Sequence, residues 1–213
     1  CLTLHCAGIP TNNLHKYRKV FAISDFVKEE LGSRSNVDVD VIENGINIEN
    51  IEKRTNHIYN KNLKIVQVSR LDKNVKGQDI LIEAINILNT RGIKNVFVDF
   101  IGDGPSSTEL KELTNKYSLE ERIRFLGSRN RKYIYTNLKN YDLMCHPART
   151  EGFGLVVIEG LAAQIPVLIP NQGGAYEVTN NGELATIFMN EDPSSCASKI
   201  IEIMENYKNA LRI

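Results

Sequence analysis

Two glutamates eight positions apart, Glu151 and Glu159, bracket a glycine-rich turn, Gly152-Phe153-Gly154, that leads into the apolar run Leu155-Val156-Val157-Ile158. A strand-like run precedes them. A helix starting near Gly154 therefore points its unsatisfied N–H groups and positive dipole end at the strand-end crevice. An anion is welcome there, phosphate being the commonest, because glycine permits close backbone approach and the dipole offers about half a unit charge. Glu159 falls about one and a half turns into that helix, with apolar neighbours three and four residues away. A helix apolar on every side is expected to be buried, and a carboxylate on it costs several kcal/mol unless donors meet it. The 2′ and 3′ hydroxyls of a ribose are suitable donors; a basic side chain or water is the plain alternative. Glu151, in a loop ahead of a helix, reads as a cap or a solvated charge when taken singly.

A second cluster, Ser69-Arg70-Leu71-Asp72-Lys73-Asn74-Val75-Lys76-Gly77, places cations just past the carboxyl end of a strand. Arg70 offers a planar fork and Lys76 a point charge, and both suit the oxygens of a diphosphate. Read alone, the same residues are scattered surface cations. Gly102-Asp103-Gly104-Pro105 also follows a strand, but Ser107 stands where a dinucleotide fingerprint needs its third glycine and Pro105 interrupts the helix start. A nicotinamide or flavin dehydrogenase is disfavoured; the loop walls a base pocket through its backbone or is a turn. Phe125-Leu126-Gly127-Ser128 carries the same two readings. His5, His15, His57 and His146 are scattered without metal-ligand spacing, and neither a GxSxG elbow nor a GxxxxGK[ST] loop occurs. His5, at a strand end, reads singly as structural.

These residues need a scaffold, and the pattern supplies one. After Leu63, strand-like runs at 64–69, 96–101, 123–126, 143–145, 167–169 and 185–188 alternate with helical patterns at 77–89, 107–117, 131–137, 154–163, 175–179 and 195–207. That alternation predicts a Rossmann-like α/β fold: a parallel sheet with helices on both faces and function in the βα loops. Upstream, residues 1–43 read as a partial α/β segment: strand 2–6, a helix near 12–17, strand 19–23, helix 25–31 and strand 37–42. Asn44-Gly45 is a turn signal, which divides the chain into 1–43 and 44–213. Cys1 in first place, with a strand immediately after it, predicts a piece of a longer chain.

The 213 residues are 42% apolar and 24% charged, a composition that folds, and 26 Lys+Arg balance 26 Asp+Glu. No net field favours nucleic acid or an acidic lipid face. The apolar runs are far short of the ~18 residues that span a bilayer. The four cysteines show neither metal spacing nor a disulfide framework, so a soluble protein of the reducing cytoplasm is expected.

Taken in order, the residues resemble the group 1 glycosyltransferases, retaining enzymes of GT-B architecture. The matching stretches are Thr3-Leu4-His5, Phe21-Ala22-Ile23-Ser24, Val41-Ile42-Glu43-Asn44-Gly45-Ile46, Ser69-Arg70-Leu71 with Lys76-Gly77, Ile101 to Pro105, Phe125-Leu126-Gly127, and His146-Pro147 with Glu151 to Leu155 and Glu159. The paired glutamates around Gly-Phe-Gly are the specific element.

The resemblance implies that 44–213 is the C-terminal, nucleotide-sugar-binding half of a GT-B fold and 1–43 the tail of the acceptor-binding half. It puts Arg70 and Lys76 on the diphosphate, Glu159 on the ribose, Glu151 on hydroxyls of the transferred sugar, and His5 against the sugar from the facing domain. The amides of Gly152, Phe153, Gly154 and Leu155 would line sugar and phosphate, with Gly102, Gly104 and Leu126 around the nucleotide. It further implies no cofactor and no metal, a saccharide or lipid-linked acceptor from a cell-surface polysaccharide or glycoconjugate pathway, and peripheral membrane association through the missing N-terminal domain. Ala148 departs from the family's usual serine, Lys73 rivals Lys76 for a phosphate, and the family's terminal helix is expected beyond Ile213. A nucleotide-sugar epimerase and a non-catalytic nucleotide-binding module are the alternatives.

Overall fold

The computed structural model describes residues 1–6, 10–59 and 61–211. Its first segment comprises β1 (Leu2–Leu4), β2 (Val20–Ala22), α1 (Asp25–Gly32) and β3 (Val39–Val41), with the strands parallel in the order β1-β2-β3. β1 is shorter than the 2–6 expected from sequence. Leu4 pairs with Ala22, and two residues later Ser24 leaves the ladder to cap α1, so His5 has no strand beside it. The helix expected near 12–17 is a single 3-10 turn, Leu14–Lys16, because Leu14 alone is buried and no apolar face extends it.

The rest of the chain forms β4 (Leu63–Val68), α2 (Lys73–Lys76), α3 (Gln78–Thr90), β5 (Val96–Ile101), α4 (Ser107–Lys116), β6 (Ile123–Phe125), α5 (Arg131–Asn137), β7 (Leu143–Cys145), α6 (Leu155–Ala162), β8 (Val167–Pro170), α7 (Gly174–Val178), β9 (Thr186–Phe188), α8 (Pro193–Glu205) and α9 (Tyr207–Ala210). Its six strands are all parallel, in the order β6-β5-β4-β7-β8-β9. On one face Leu81, Ile85 and Leu88 of α3 and Ile200 of α8 pack against Ile65, Val98 and Phe100; on the other, Tyr135, Leu138 and Val157 pack against Val66, Met144 and Val167. Both faces are covered, which is why the strands read as apolar runs instead of alternating. The winding reverses between β4 and β7, so the loops at their carboxyl ends part there and leave a crevice.

Two features of the loops depart from the sequence reading. The polar stretch after β4 is not open loop: Lys73–Lys76 make a helical turn closed by Gly77 at φ 62°, where a Cβ would fall 1.9 Å from the Pro147 carbonyl oxygen. Only glycine fits, and it presses the loop after β4 onto the loop after β7. Nor is α6 buried all round. Val157 and Gly160 are covered, whereas Leu155 at its start is 37% exposed toward the crevice. The first segment packs on this same region: Phe153 lies in a cluster with Leu4, Ile23 and Val27, and the Ser24 hydroxyl donates to the Gly152 carbonyl at 2.5 Å.

Candidate functional site

Over the carboxyl ends of β4 and β7 lies a cavity of about 320 Å³ lined by His5 and Ile23 of the first segment, Lys76, His146, Glu151, and Phe153 to Val156. A neighbouring cavity of about 280 Å³ holds Arg70, Gly102, Asp103, Ser128 and Ile134, and the two share Val68 and Ser69 as a common wall. Together they form one trough across the point where the winding reverses. A larger cavity, about 500 Å³, opens toward the amino ends of the strands beside Lys64, Asp99, Arg122 and Arg124, and contains none of the residues singled out in the sequence. The trough has the motif residues and the helix start, so chemistry and size point to different places, and chemistry decides.

Glu151 is the electrostatic centre of the trough. Its Oε2 accepts from Lys76 Nζ at 2.8 Å and meets His146 Nε2 at 2.8 Å, and its side chain is 17% exposed. Burial pushes the carboxyl up, but the His146 hydrogen bond and charge together with Lys76 outweigh it and hold the group well below the usual carboxylate range. The other oxygen, Oε1, has only a long 3.5 Å contact from the Phe153 N–H. One oxygen is held and the other is open to a donor. His146, 1% exposed, follows β7 directly and is fixed by its backbone N–H on Leu168. It stands in the His146-Pro147 stretch of the resemblance but has no role in the sequence reading; its place at a strand end five residues before Glu151 was the available signal.

The cations divide by partner. Arg70 is exposed and makes no ion pair among the described residues, so its guanidinium is available. Lys73, the expected rival, is engaged by Glu109 of α4 and lines neither cavity. Arg149 closes the frame: it is bidentate to Asp79 at 2.8 Å and donates to the Lys73 carbonyl at 2.6 Å, tying α2 and α3 to the loop that carries Glu151.

Glu159 sits one turn beyond Leu155 and Val156 on α6, outside both cavity linings, and accepts from the Tyr135 hydroxyl at 3.2 Å. Burial raises its pKa, with the Tyr135 hydrogen bond and the Arg131 charge opposing. From sequence the partners left open were ribose hydroxyls, a basic side chain or water; the structure supplies a phenol, not among them, with the Arg131 charge nearby. Ile134, the residue before Tyr135 on α5, lines the Arg70 cavity, whereas Tyr135 and Glu159 line neither.

Among the predicted glycines, Gly154 at φ 93° starts α6 without a side-chain cap, leaving early N–H groups toward the cavity it lines. Gly102 lines the Arg70 cavity, whereas Gly152 and Gly104 are packing positions: a Cβ would stand 2.7 Å from the His5 carbonyl oxygen and 2.5 Å from that of Leu71. Leu126 is half-buried against the second face of the sheet. Among the described residues no group of three His, Cys, Asp or Glu could hold a metal ion, and no helix is long and apolar enough to cross a membrane.

The chain has relatives in sequence and in fold. Residues 48–213 match the family model of the group 1 glycosyl transferases. The gpi3 subunit of phosphatidylinositol N-acetylglucosaminyltransferase from Schizosaccharomyces pombe is 30% identical over 208 residues, covering 94% of this chain and 45% of that protein. Staphylococcus aureus CapJ is 29% identical over 178 residues, 76% of this chain and 44% of its own. The chain thus spans about half the length of these relatives. Its fold matches that of Anabaena HepE, solved with UDP and glucose, with TM-score 0.85 at 23% identity, over 99% of this chain and 64% of that one. Staphylococcus aureus TarM gives TM-score 0.82 at 17% identity, over 99% and 44%. The six-stranded and three-stranded parallel sheets are those of the C-terminal part of a GT-B structure, and the chain belongs to the group 1 glycosyl transferases.

Proposed function

We propose that this chain is the donor-binding part of a retaining glycosyltransferase that moves a sugar from a nucleoside diphosphate to an acceptor hydroxyl, with residues 1–43 the tail of the acceptor-side domain and 44–213 the donor domain. The observation that carries the reading is the convergence, at one switch point, of Arg70, which has no ion pair among the described residues, Lys76, the N–H groups at the start of α6 and a carboxylate whose Oε1 has one long contact. In this reading the diphosphate lies across Arg70, Lys76 and the start of α6, the ribose reaches Glu159, and a sugar hydroxyl donates to Glu151. Gly102 and Leu126 flank the nucleotide, and His5 faces the sugar from the first segment.

The difficult step is breaking the bond from the anomeric carbon to the diphosphate oxygen as positive charge grows on the sugar. Fixed cations and helix N–H groups stabilise the leaving group. The acceptor oxygen forms the new bond on the same face, and its proton passes to the departing phosphate oxygen. Since Lys76 is paired with Glu151 without ligand, a diphosphate must take the ammonium over, exchanging one anion for another at the same cation. No divalent ion is required by this scheme, which binding in EDTA tests. The acceptor is a saccharide or a lipid-linked group, reached in the cytoplasm, and several relatives are named for N-acetylglucosaminyl transfer.

Thermal shift with UDP-glucose, UDP-N-acetylglucosamine, GDP-mannose and ADP-glucose tests the reading. At 100 times its dissociation constant a true donor adds about 2.7 kcal/mol, and R70A and K76A should abolish the shift. Silence from all four donors contradicts the proposal.

A further inference from the structure

We propose that His146 is a positioning residue that keeps Glu151 ionised and aimed once Lys76 leaves it for the diphosphate. The inference rests on the reading of Glu151 above and concerns a residue that acts on substrate through it. The geometry sets two cations or donors on one oxygen: Lys76 Nζ and His146 Nε2 each lie 2.8 Å from Glu151 Oε2. An ionised carboxylate only accepts, so Nε2 bears the proton in this contact. His146 Nδ1 is buried without a partner among the described residues.

The division of labour follows. Lys76 is 23% exposed on a flexible stem and can swing to a phosphate; His146, 1% exposed at the end of β7, cannot follow. If Lys76 were the sole donor, its departure would leave a largely buried carboxylate unmatched, free to protonate or to turn away. With His146 in place Oε2 stays pinned, and Oε1, which has only the long contact from the Phe153 N–H, faces the cavity for a sugar hydroxyl. The groups facing the ring from other elements are Glu151 and, through it, Lys76; His5 lines the same cavity from the first segment.

The test is a calorimetric comparison of UDP with UDP-N-acetylglucosamine, and of GDP with GDP-mannose, on the 213-residue chain. H146L should bind the bare diphosphates within about twofold of wild type yet lose about tenfold of the affinity that the sugar adds, the worth of a charge-assisted hydrogen bond. H146Q, whose amide nitrogen can donate to the same oxygen, should recover most of it. E151Q should remove the sugar's contribution, after which adding H146L changes nothing further. Equal weakening of diphosphate and sugar nucleotide in H146L, or an H146L like wild type, overturns the role of His146 while E151Q still reports on Glu151. An E151Q that binds both ligands as wild type does overturns the reading of Glu151 and this inference with it. Should H146L not fold, nitrogen NMR of the wild-type ring decides: a proton on Nε2 before and after saturation with the sugar nucleotide is expected, and a proton on Nδ1 alone rules the proposal out.

Discussion

The two glutamates of the Gly-Phe-Gly motif sit eight residues apart, and their surroundings push them in opposite directions. Glu151 is drawn into the protein but met by Lys76 and His146, which hold its pKa down; Glu159 is drawn in and met by a tyrosine hydroxyl, and its pKa goes up. The first is compensated by the fold itself. The second has one neutral donor in contact, so its burial is only partly offset. By this contrast Glu151 contributes to stability, while Glu159 carries a cost that, on the proposed function, a ligand's hydroxyls would offset. This is the pattern expected when a local sequence choice conflicts with stability at a functional position.

Several substitutions can break or sharpen that contrast. The largest effect is expected from E151Q, which removes an anion shared by two partly buried donors and should lower stability by about 2 kcal/mol at neutral pH, read by urea unfolding. Because the folded-state pKa of Glu151 is depressed, its contribution is present above the ordinary carboxylate range and lost as pH falls below it, so the gap between E151Q and wild type should shrink in acid. S24A loses both the cap of α1 and the bond to the Gly152 carbonyl, and should cost about 1 kcal/mol. It should also weaken sugar-nucleotide binding if the first segment steadies the Glu151 loop, whereas unaltered binding would show that the loop stands without it.

E159Q should move the other way. With its folded pKa raised, Glu159 contributes stability below the unfolded value and loses it as pH rises through the folded one, so at neutral pH the ionised group is a burden. The glutamine variant should gain less than about 1 kcal/mol at pH 7, the gain vanishing in acid, while UDP affinity drops. Loss of stability in E159Q would remove the contrast. The smallest change in stability is expected from R70A, within about 0.5 kcal/mol because Arg70 is exposed and unpaired; its effect should be confined to binding of the diphosphate, measured by calorimetry.

Much of this architecture was legible in the residues. Runs such as Leu143–Cys145 and 167–169 are apolar without alternation because both faces of the sheet are covered, and Ile80, Leu81, Ala84, Ile85 and Leu88 carry a helical period that lands in the core. What sequence could not supply was the pairing across loops. Lys76 and Glu151 are 75 positions apart, and only the topology of β4 and β7 brings them to one oxygen. The pairing of Lys73 with Glu109, and the frame made by Arg149 on Asp79, were equally hidden; Glu109 and Asp79 lie on other helices. His146 has no role in the sequence reading because its place at a strand end, five residues before Glu151, does not by itself say that the ring reaches the carboxylate. The over-read burial of α6 has the same origin: an apolar helix start that borders a cavity looks, in sequence, like one that borders a core.

The most direct test of the account is a crystal structure of the chain with UDP-N-acetylglucosamine, GDP-mannose or whichever donor shifts its melting. The account predicts the diphosphate at Arg70, Lys76 and the N–H groups of α6, with Lys76 parted from Glu151 and His146 still on Oε2. A nucleotide seated instead in the cavity at the amino ends of the strands, beside Lys64, Arg122 and Arg124, would contradict it.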